Sequence, residues 1–481
     1  MAKQIAPLVF ALGIGVLFAL ARDRSARTSR ALWIPVAWFL IAGSRNVAQW
    51  LQLSVPTDAD RYLEGNPVDR NVLSGLLALG IMVLVRRRHH VAAVVRANAF
   101  IFLYFAYCAA SVLWSDHPDV ALRRWTRALG DLVMVLVVVT DLDRLTALKR
   151  LLTRAGFLLV PLSILLIRYY PELGRTYSQW TGSPSWTGVT TEKNSLGILS
   201  LIVGLTSAWQ LLQAAKTRKA LPVMAHGALV AMTLHLLWEA NSATSFTCFF
   251  VAGGVMMLTS RPALARRPAL VHIVVAVALL VPIAVLLTGS EMVGYVGRDS
   301  TLTGRTEIWR LTIAMTTNRW LGTGFESFWL GDRLDQMWGL YYNHPNQAHN
   351  GYLEVFLNLG WLGVVILAGI FVSGYREIAT LIRRQAEEGS LKLAYLVTAA
   401  VYNVTEAGFK MMHPAWIAFL LATTMVPETA SPTARDQHTD GFQRLLHVMP
   451  PADQHLVASS RLGNERRLSA AARHVRSIGR R

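Results

Sequence analysis

The sequence predicts an all-α, polytopic helical membrane protein of about 12–13 transmembrane helices with one large outer loop. Three observations predict it. Hydrophobic residues make up 53% of the 481-residue chain and charged residues 16%, where soluble chains carry about 25% charged residues. The apolar residues gather into repeated runs near the roughly 17–22 residues that cross a hydrocarbon core as helix. Arginine and lysine fall in short clusters between those runs, which is how membrane topology is encoded. Backbone groups in hydrocarbon must be satisfied within their own segment, so the runs are helices; the short alternating strands of a β-barrel are not seen. The net charge of +18 would suggest nucleic acid in a soluble chain; placed between apolar runs, it does not. Cys108 and Cys248 lie inside apolar runs and read as small buried hydrophobes.

The runs follow in order. The first, 5–21, shows no small-residue cleavage site before Arg22 and reads as a retained span. Arg22, Arg24, Arg27 and Arg30 put the next loop inside. After a second run, 31–47, the stretch 49–70 carries Asp58, Asp60, Glu64 and Asp69 and suits the outer side. The third, 72–85, ends in Arg86-Arg-Arg-His-His90, an inner cluster. The fourth, 91–114, leads to Leu113-Trp-Ser-Asp-His-Pro118, and the fifth is 129–140. The sixth, 151–167, opens an outer loop, 168–192, rich in Tyr, Trp and Pro. Spans seven to ten are 195–215, 221–238, 245–259 and 270–287, with the tight turn Glu239-Ala-Asn-Ser-Ala-Thr244 between eight and nine. Span eleven covers 352–372; spans twelve and thirteen, 391–404 and 414–426, are short. The N-terminus is then outside and the tail inside. Residues 1–427 form the membrane domain, with the large loop 289–350 within it. Residues 428–481 form a basic tail, expected to be disordered, whose nine arginines favour a membrane surface near Phe442-Gln-Arg-Leu-Leu446.

Chemistry is expected between Thr301 and Gly363. The large loop carries arginines 298, 305, 310, 319 and 333 on the side that topology rules disfavour for cations, which points to a folded loop that binds an anion. His349 precedes a helix start with Asn350 as N-cap. It is either a general base at the membrane–water boundary or a cap against lipid headgroups. The helix N-terminus behind it favours an anion such as a diphosphate. Arg305, in Thr303-Gly-Arg-Thr306, suits bidentate phosphate contact or simply a headgroup. Lys193 contacts phosphate or snorkels at the interface. His344 and His349 lack the neighbouring ligands of a metal pair. Nucleotide-binding loops and other recognised catalytic signatures are not found.

The ordered set Leu113-Trp-Ser115 with Pro118, Glu192-Lys-Asn194 with Gly197, Leu302-Thr-Gly-Arg305 with Trp309, Gly322-Thr-Gly-Phe325, and His349-Asn-Gly-Tyr-Leu-Glu354 followed by Leu359-Gly360 and Gly363 resembles the O-antigen ligase and polymerase superfamily of bacterial polysaccharide assembly. The resemblance covers about 114–416. It implies a GT-C-like, multi-pass protein of the bacterial inner membrane with its active site facing the periplasm. It implies an inverting, metal-independent glycosyltransferase without cofactor, whose donor is an oligosaccharide on undecaprenyl diphosphate. His349 would assist the acceptor hydroxyl and Arg305 would steady the diphosphate leaving group. Lys193, Asn194, Arg298, Asn350 and Glu354 are the expected substrate-binding residues. Membrane lipids and a chain-length regulator are the expected further partners.

One departure is visible. Ligases carry an arginine after a serine at the turn before span nine, where this chain reads Asn241-Ser-Ala-Thr244. Arg298, Arg175 or Lys193 are the candidate replacements. That turn and Leu302-Thr-Gly-Arg305 look more like the exopolysaccharide polymerase branch, so a polymerase of lipid-linked repeat units is expected. The alternatives are a ligase acting on the lipid A core, and a transporter or flippase of lipid-linked sugars. The last should show internal repeats and charges within the bilayer, which are not seen.

Overall fold

Each apolar run forms helix, and the helix starts are set by local chemistry. The side chain of Asn66 accepts from Val68 N ahead of Pro67, Asp143 from Thr146 N, and Asn350 from Leu353 N. Each satisfies a backbone donor that the first turn leaves without a partner. The computed structural model describes residues 2–23, 27–53, 65–177, 183–288, 301–341 and 344–427, with 2, 282–288 and 301–304 described in backbone only. All lie in one unit, Met1–Pro427; the tail from 428 onward, including 442–446, is outside the described residues.

The helices are α1 Ala2–Leu20, α2 Trp33–Ala42, α3 Pro67–Arg86, α4 Arg88–Ala97, α5 Ala99–Ala110, α6 Pro118–Val139, α7 Arg144–Tyr169, α8 Lys193–Lys216, α9 Ala220–Ala240, α10 Ala243–Thr259 and α11 Pro268–Thr288. The large loop adds α12 Thr301–Ala314 and α13 Asp332–Leu340, and α14 Gly351–Arg384, α15 Ala386–Thr405 and α16 Pro414–Thr423 follow. The chain is a multi-pass, all-α membrane protein. Among the described residues, six helices are long and apolar enough to cross a bilayer, and four more are apolar but shorter. The expected 12–13 spans are therefore not all full-length helices. The segment 168–192 holds a small antiparallel pair, β1 Arg175–Tyr177 with β2 Pro184–Trp186.

Two expected spans have different shapes. The fourth run is not one straight helix: α4 and the segment Ala99–Trp114 meet at 92°. Asn98 sits at the break, donating to Val94 O at 2.7 Å and Met425 O at 2.8 Å, and accepting from Met425 N at 2.8 Å. Its amide replaces the backbone bonds that the bend removes. The fifth begins eleven residues earlier than expected, at Pro118, because Ser115 Oγ accepts from His117 N at 3.0 Å and sets the first turn. Arg123, Arg124 and Arg127 are therefore helical.

The large loop is bolted to a break in α14. Gly360 has φ +64° and ψ −167°, inside an otherwise helical run. The freed backbone pairs with the loop instead. Trp361 N donates to Arg319 O at 2.9 Å, Thr323 N to Leu357 O at 3.1 Å, and Gly324 N to Asn358 O at 2.9 Å. Asn358 Oδ1 accepts from Ser327 N and Phe328 N at 2.8 and 3.0 Å. Ser115 Oγ lies 2.8 Å from Ser327 Oγ, and Trp114 Nε1 donates to Leu321 O at 3.3 Å. Leu113-Trp-Ser115, Gly322-Thr-Gly324 and Leu359-Gly360 thus meet at one joint. Ile308, Phe328, Trp329, Leu334, Met337, Ala348 and Leu357 form a small core above it.

A Cβ at Gly360 would lie 2.2 Å from Trp320 O, on a backbone that L-residues rarely adopt. Gly360→Ala is expected to lower stability by about 2–3 kcal/mol, read as a drop in thermal midpoint of the purified protein. Gly75→Ala, in the helical interior with open space around it, should leave the midpoint unchanged or raise it slightly.

Candidate functional site around Glu406

The chain leaves α15 at Thr405 and turns through Glu406-Ala-Gly-Phe-Lys410 before α16. Asn403 shapes this turn by accepting from Gly408 N at 2.7 Å. The start of α14 packs directly against it: Gly351 N donates to Glu406 O at 2.9 Å. A Cβ at Gly351 would lie 2.0 Å from Asn403 Oδ1, so this approach requires glycine. Asn350, besides capping α14, donates to Val404 O at 3.1 Å.

The Glu406 carboxylate gathers three segments. Oε1 accepts from Arg305 Nη2 at 3.1 Å and from Asn194 Nδ2 at 3.0 Å. Oε2 faces His349 Nδ1 at 3.4 Å. Arg305 also donates to Thr405 O through Nη1. The Glu406 side chain is 7% exposed, against 21% for Arg305 and 28% for His349. The carboxylate is therefore enclosed while its partners still reach outward. His349 holds a left-handed backbone, φ +52°, which is uncommon for a residue other than glycine. Such strain persists only where the surroundings impose it and often marks a working site.

Glu406 and Asn194 line a 350 Å³ cavity whose walls also include Gln49, Thr191 and Gln347. Lys410 Nζ donates to Gln347 Oε1 at 2.9 Å. Together these two side chains form a wall shared with a second cavity of 450 Å³. That second cavity carries Arg123, Arg124, Arg127 and Glu326. Burial pushes the Glu326 carboxyl up from its usual range, against the pull of Arg124 and Lys410. His413, at the rim of the first cavity, accepts from Ala415 N at 3.2 Å as the cap of α16. Burial, reinforced by Lys410, lowers its pKa to about 3, so this ring is neutral.

Of the residues expected from sequence, His349, Arg305 and Asn194 meet at Glu406, and Asn350 holds the turn beside them. Glu354 is placed differently. Its oxygens accept from Trp329 Nε1 at 3.0 Å and from Ala348 N, so it braces the loop core at the second cavity. Lys193 is exposed at the first position of α8 and stands outside the cluster. Arg298 lies outside the described residues. Arg175 is committed to Ile167 O, at 3.0 and 2.8 Å. The turn that lacks the ligase arginine lies at the cluster, for Thr244 Oγ1 is 2.8 Å from Thr405 Oγ1. His344 stacks on Trp338 at 4.8 Å.

Glu406 itself was not expected. Its signal was present, a lone acid in a Gly- and Phe-containing turn between two short apolar runs. Nothing in the sequence ties it to residues 57 and 101 positions earlier. Asp131 is a second hidden acid: it accepts from Trp38 Nε1 at 2.7 Å and Met412 N at 2.8 Å. It thereby fixes the far side of the 406–413 turn.

Residues 227–368 match the family model for O-antigen ligase. The chain is 26% identical over 290 residues to the exopolysaccharide production protein ExoQ of Rhizobium meliloti (strain 1021). That match covers 57% of this chain and 64% of the relative's own length, a little under two thirds.

Glu406→Ala is expected to cost roughly 3 kcal/mol, because it strands the Arg305 charge beside a partly buried turn; chemical denaturation in detergent measures it. His413 gives a pH prediction. Its folded-state pKa of about 3 lies below the roughly 6.5 of an unfolded histidine. The unfolded chain therefore takes up a proton that the folded chain refuses. Stability is fully present above pH 6.5 and declines as pH falls toward 3. His413→Asn, a cap that does not titrate, should lose less stability than wild type between about pH 6.5 and 4.

Proposed function

We propose, for a chain of the O-antigen ligase superfamily on its exopolysaccharide side, a periplasmic-face glycosyltransferase of the bacterial inner membrane. It joins repeat units carried on undecaprenyl diphosphate. The observation that carries this reading is that one buried carboxylate, Glu406, holds both His349 and Arg305.

The chemistry follows from that placement. Glu406 accepts from His349 Nδ1–H, which orients the ring and makes Nε2 the basic nitrogen. Nε2 takes the proton of the acceptor hydroxyl as the hydroxyl oxygen attacks the anomeric carbon. The bond from that carbon to the diphosphate oxygen breaks, with inversion, and the lipid diphosphate leaves with the electron pair. The imidazolium that forms is balanced by Glu406. Arg305 spends Nη1 and Nη2 on Thr405 and Glu406 and turns its remaining N–H donors to the leaving diphosphate. Asn194, at the start of α8, shares Glu406 Oε1 and keeps the carboxylate from swinging away. Residues of this chain supply the proton transfer and the charge stabilisation, and α12, α14 and α15 supply the positioning.

The test is reconstitution in liposomes with an undecaprenyl-diphosphate oligosaccharide as the only substrate, with product length read on a gel. Wild type is expected to give a ladder of longer lipid-linked glycans. His349→Ala should lower turnover about 10²–10⁴-fold with the fold intact. Glu406→Gln should lower it about 10–100-fold, the scale of losing an orienting partner. Transfer that starts only when a lipid A core acceptor is added would replace the polymerase with a ligase. Full activity of His349→Ala would remove the base assignment.

A further inference from the structure

Asp131 is a fully buried acid that the transfer chemistry does not use. It lies in α6 with none of its surface exposed. Its two oxygens have separate tasks: Oδ1 accepts from Trp38 Nε1 at 2.7 Å, and Oδ2 from Met412 N at 2.8 Å. We propose that Asp131 is a positioning residue of the transfer, which sets the place of the His349 ring through the turn 406–413. The proposal rests on the transferase reading above and adds what holds its base in register from inside the helix body.

The need for an acceptor there is physical. α16 is ten residues long, roughly 15 Å of helix where a hydrocarbon core is about 30 Å thick. The turn before it carries irregular backbone to the level of Asp131, well inside α6, where an N–H without a partner is costly. Met412 is such a position. Its backbone is left-handed, φ +57°, and its N–H is served by a side chain, that of Asp131. The other hold on the acid is equally specific. Trp38 is 1% exposed, and a Cβ at Gly130 would lie 2.1 Å from its Cη2, so glycine beside Asp131 leaves room for the indole. An amide cannot replace this carboxylate. Asparagine has one acceptor oxygen, and whichever donor it serves, its NH2 group meets the other.

The turn reaches the segment before α14 at two places. Glu406 Oε2 faces His349 Nδ1 at 3.4 Å, and Lys410 Nζ donates to Gln347 Oε1 at 2.9 Å. Asn403 and Gly351 hold the near end of the turn, at Gly408 N and Glu406 O. Asp131 holds the far end, two residues beyond Lys410. The His349 contact is already at the long limit of a hydrogen bond, so a small shift of the turn breaks it. Ala348 is held independently, by Glu354 and by Trp309 Nε1 at 2.7 Å. Losing Asp131 therefore misplaces the ring without releasing the loop.

The test uses the full-length protein in liposomes and lipid nanodiscs, with the thermal midpoint as the control for folding. Asp131→Asn is expected to lower kcat for ladder formation about 10–100-fold with KM little changed, the scale of losing a partner behind a working group. The acid limb of its kcat/KM profile should move to lower pH, as in Glu406→Gln, because a histidine that loses its carboxylate loses proton affinity. Trp38→Phe/Asp131→Asn should recover part of the loss, since the amide oxygen can then serve Met412 N while its NH2 group meets no donor. A lower kcat with an unmoved limb, or no recovery in a folded double variant, assigns Asp131 to stability alone and overturns the proposal. Amide hydrogen exchange needs no turnover. Asp131→Asn should speed exchange at 344–349 as well as at 406–413, and unchanged exchange at 344–349 also overturns the proposal. A wild type without a ladder but with that coupled exchange sinks only the polymerase. A wild-type ladder with Asp131→Asn fully active sinks only the positioning role.

Discussion

The Glu406 carboxylate is the interaction on which the site depends. An acid that is nearly enclosed must be satisfied on both oxygens or it becomes costly. Here the partners come from α8, α12 and the start of α14. Each partner is therefore fixed in direction by the need to satisfy the same charge. Arg305 and His349 are not independently placed side chains that happen to be close. They are held by one anion, so a change at any of the three moves the others.

The second constraint is the backbone exchange at Gly360. A long apolar helix would ordinarily satisfy its own hydrogen bonds and have nothing left for a loop. The break at Gly360 releases donors and acceptors at one point, and the segment from Arg319 to Gly324 takes them up. That is how a polar loop is held in register with the membrane body. The conspicuous sequence pieces Leu113-Trp-Ser115, Gly322-Thr-Gly324 and Leu359-Gly360 serve this joint, and none of them touches the Glu406 cluster.

The arrangement gives the body two adjoining cavities at the end of the helices where α14 begins. One is polar and contains the Glu406 carboxylate; the other is lined by the arginines of α6. The wall between them is formed by Gln347 together with Lys410 of the turn 406–413, and that turn is braced from behind by Asp131. A short segment between two short helices thus carries the acid, the shared lysine and the cap of α16. Its length is small because α15 and α16 are packed side by side, and the turn has only to link them.

The sequence by itself determined that this chain is a bundle of membrane helices, because apolar length and the burden of unsatisfied backbone leave no other solution. It also pointed to His349, Arg305 and Asn194, whose residue types at helix starts carry their chemistry locally. Asn350 was legible as a cap for the same reason. Local pattern did not reveal the bend at Asn98, since the amide that makes it possible is satisfied by Met425, more than three hundred residues away. It did not show that the Glu354 carboxylate is held by Trp329, which comes from a loop brought back over α14. It passed over Glu406 altogether. A lone acid in a turn has no periodicity to mark it, and its importance exists only once three distant helix ends converge on it. Helix existence is a property of each segment and can be read there; the site belongs to the packing of segments, which only the tertiary structure decides.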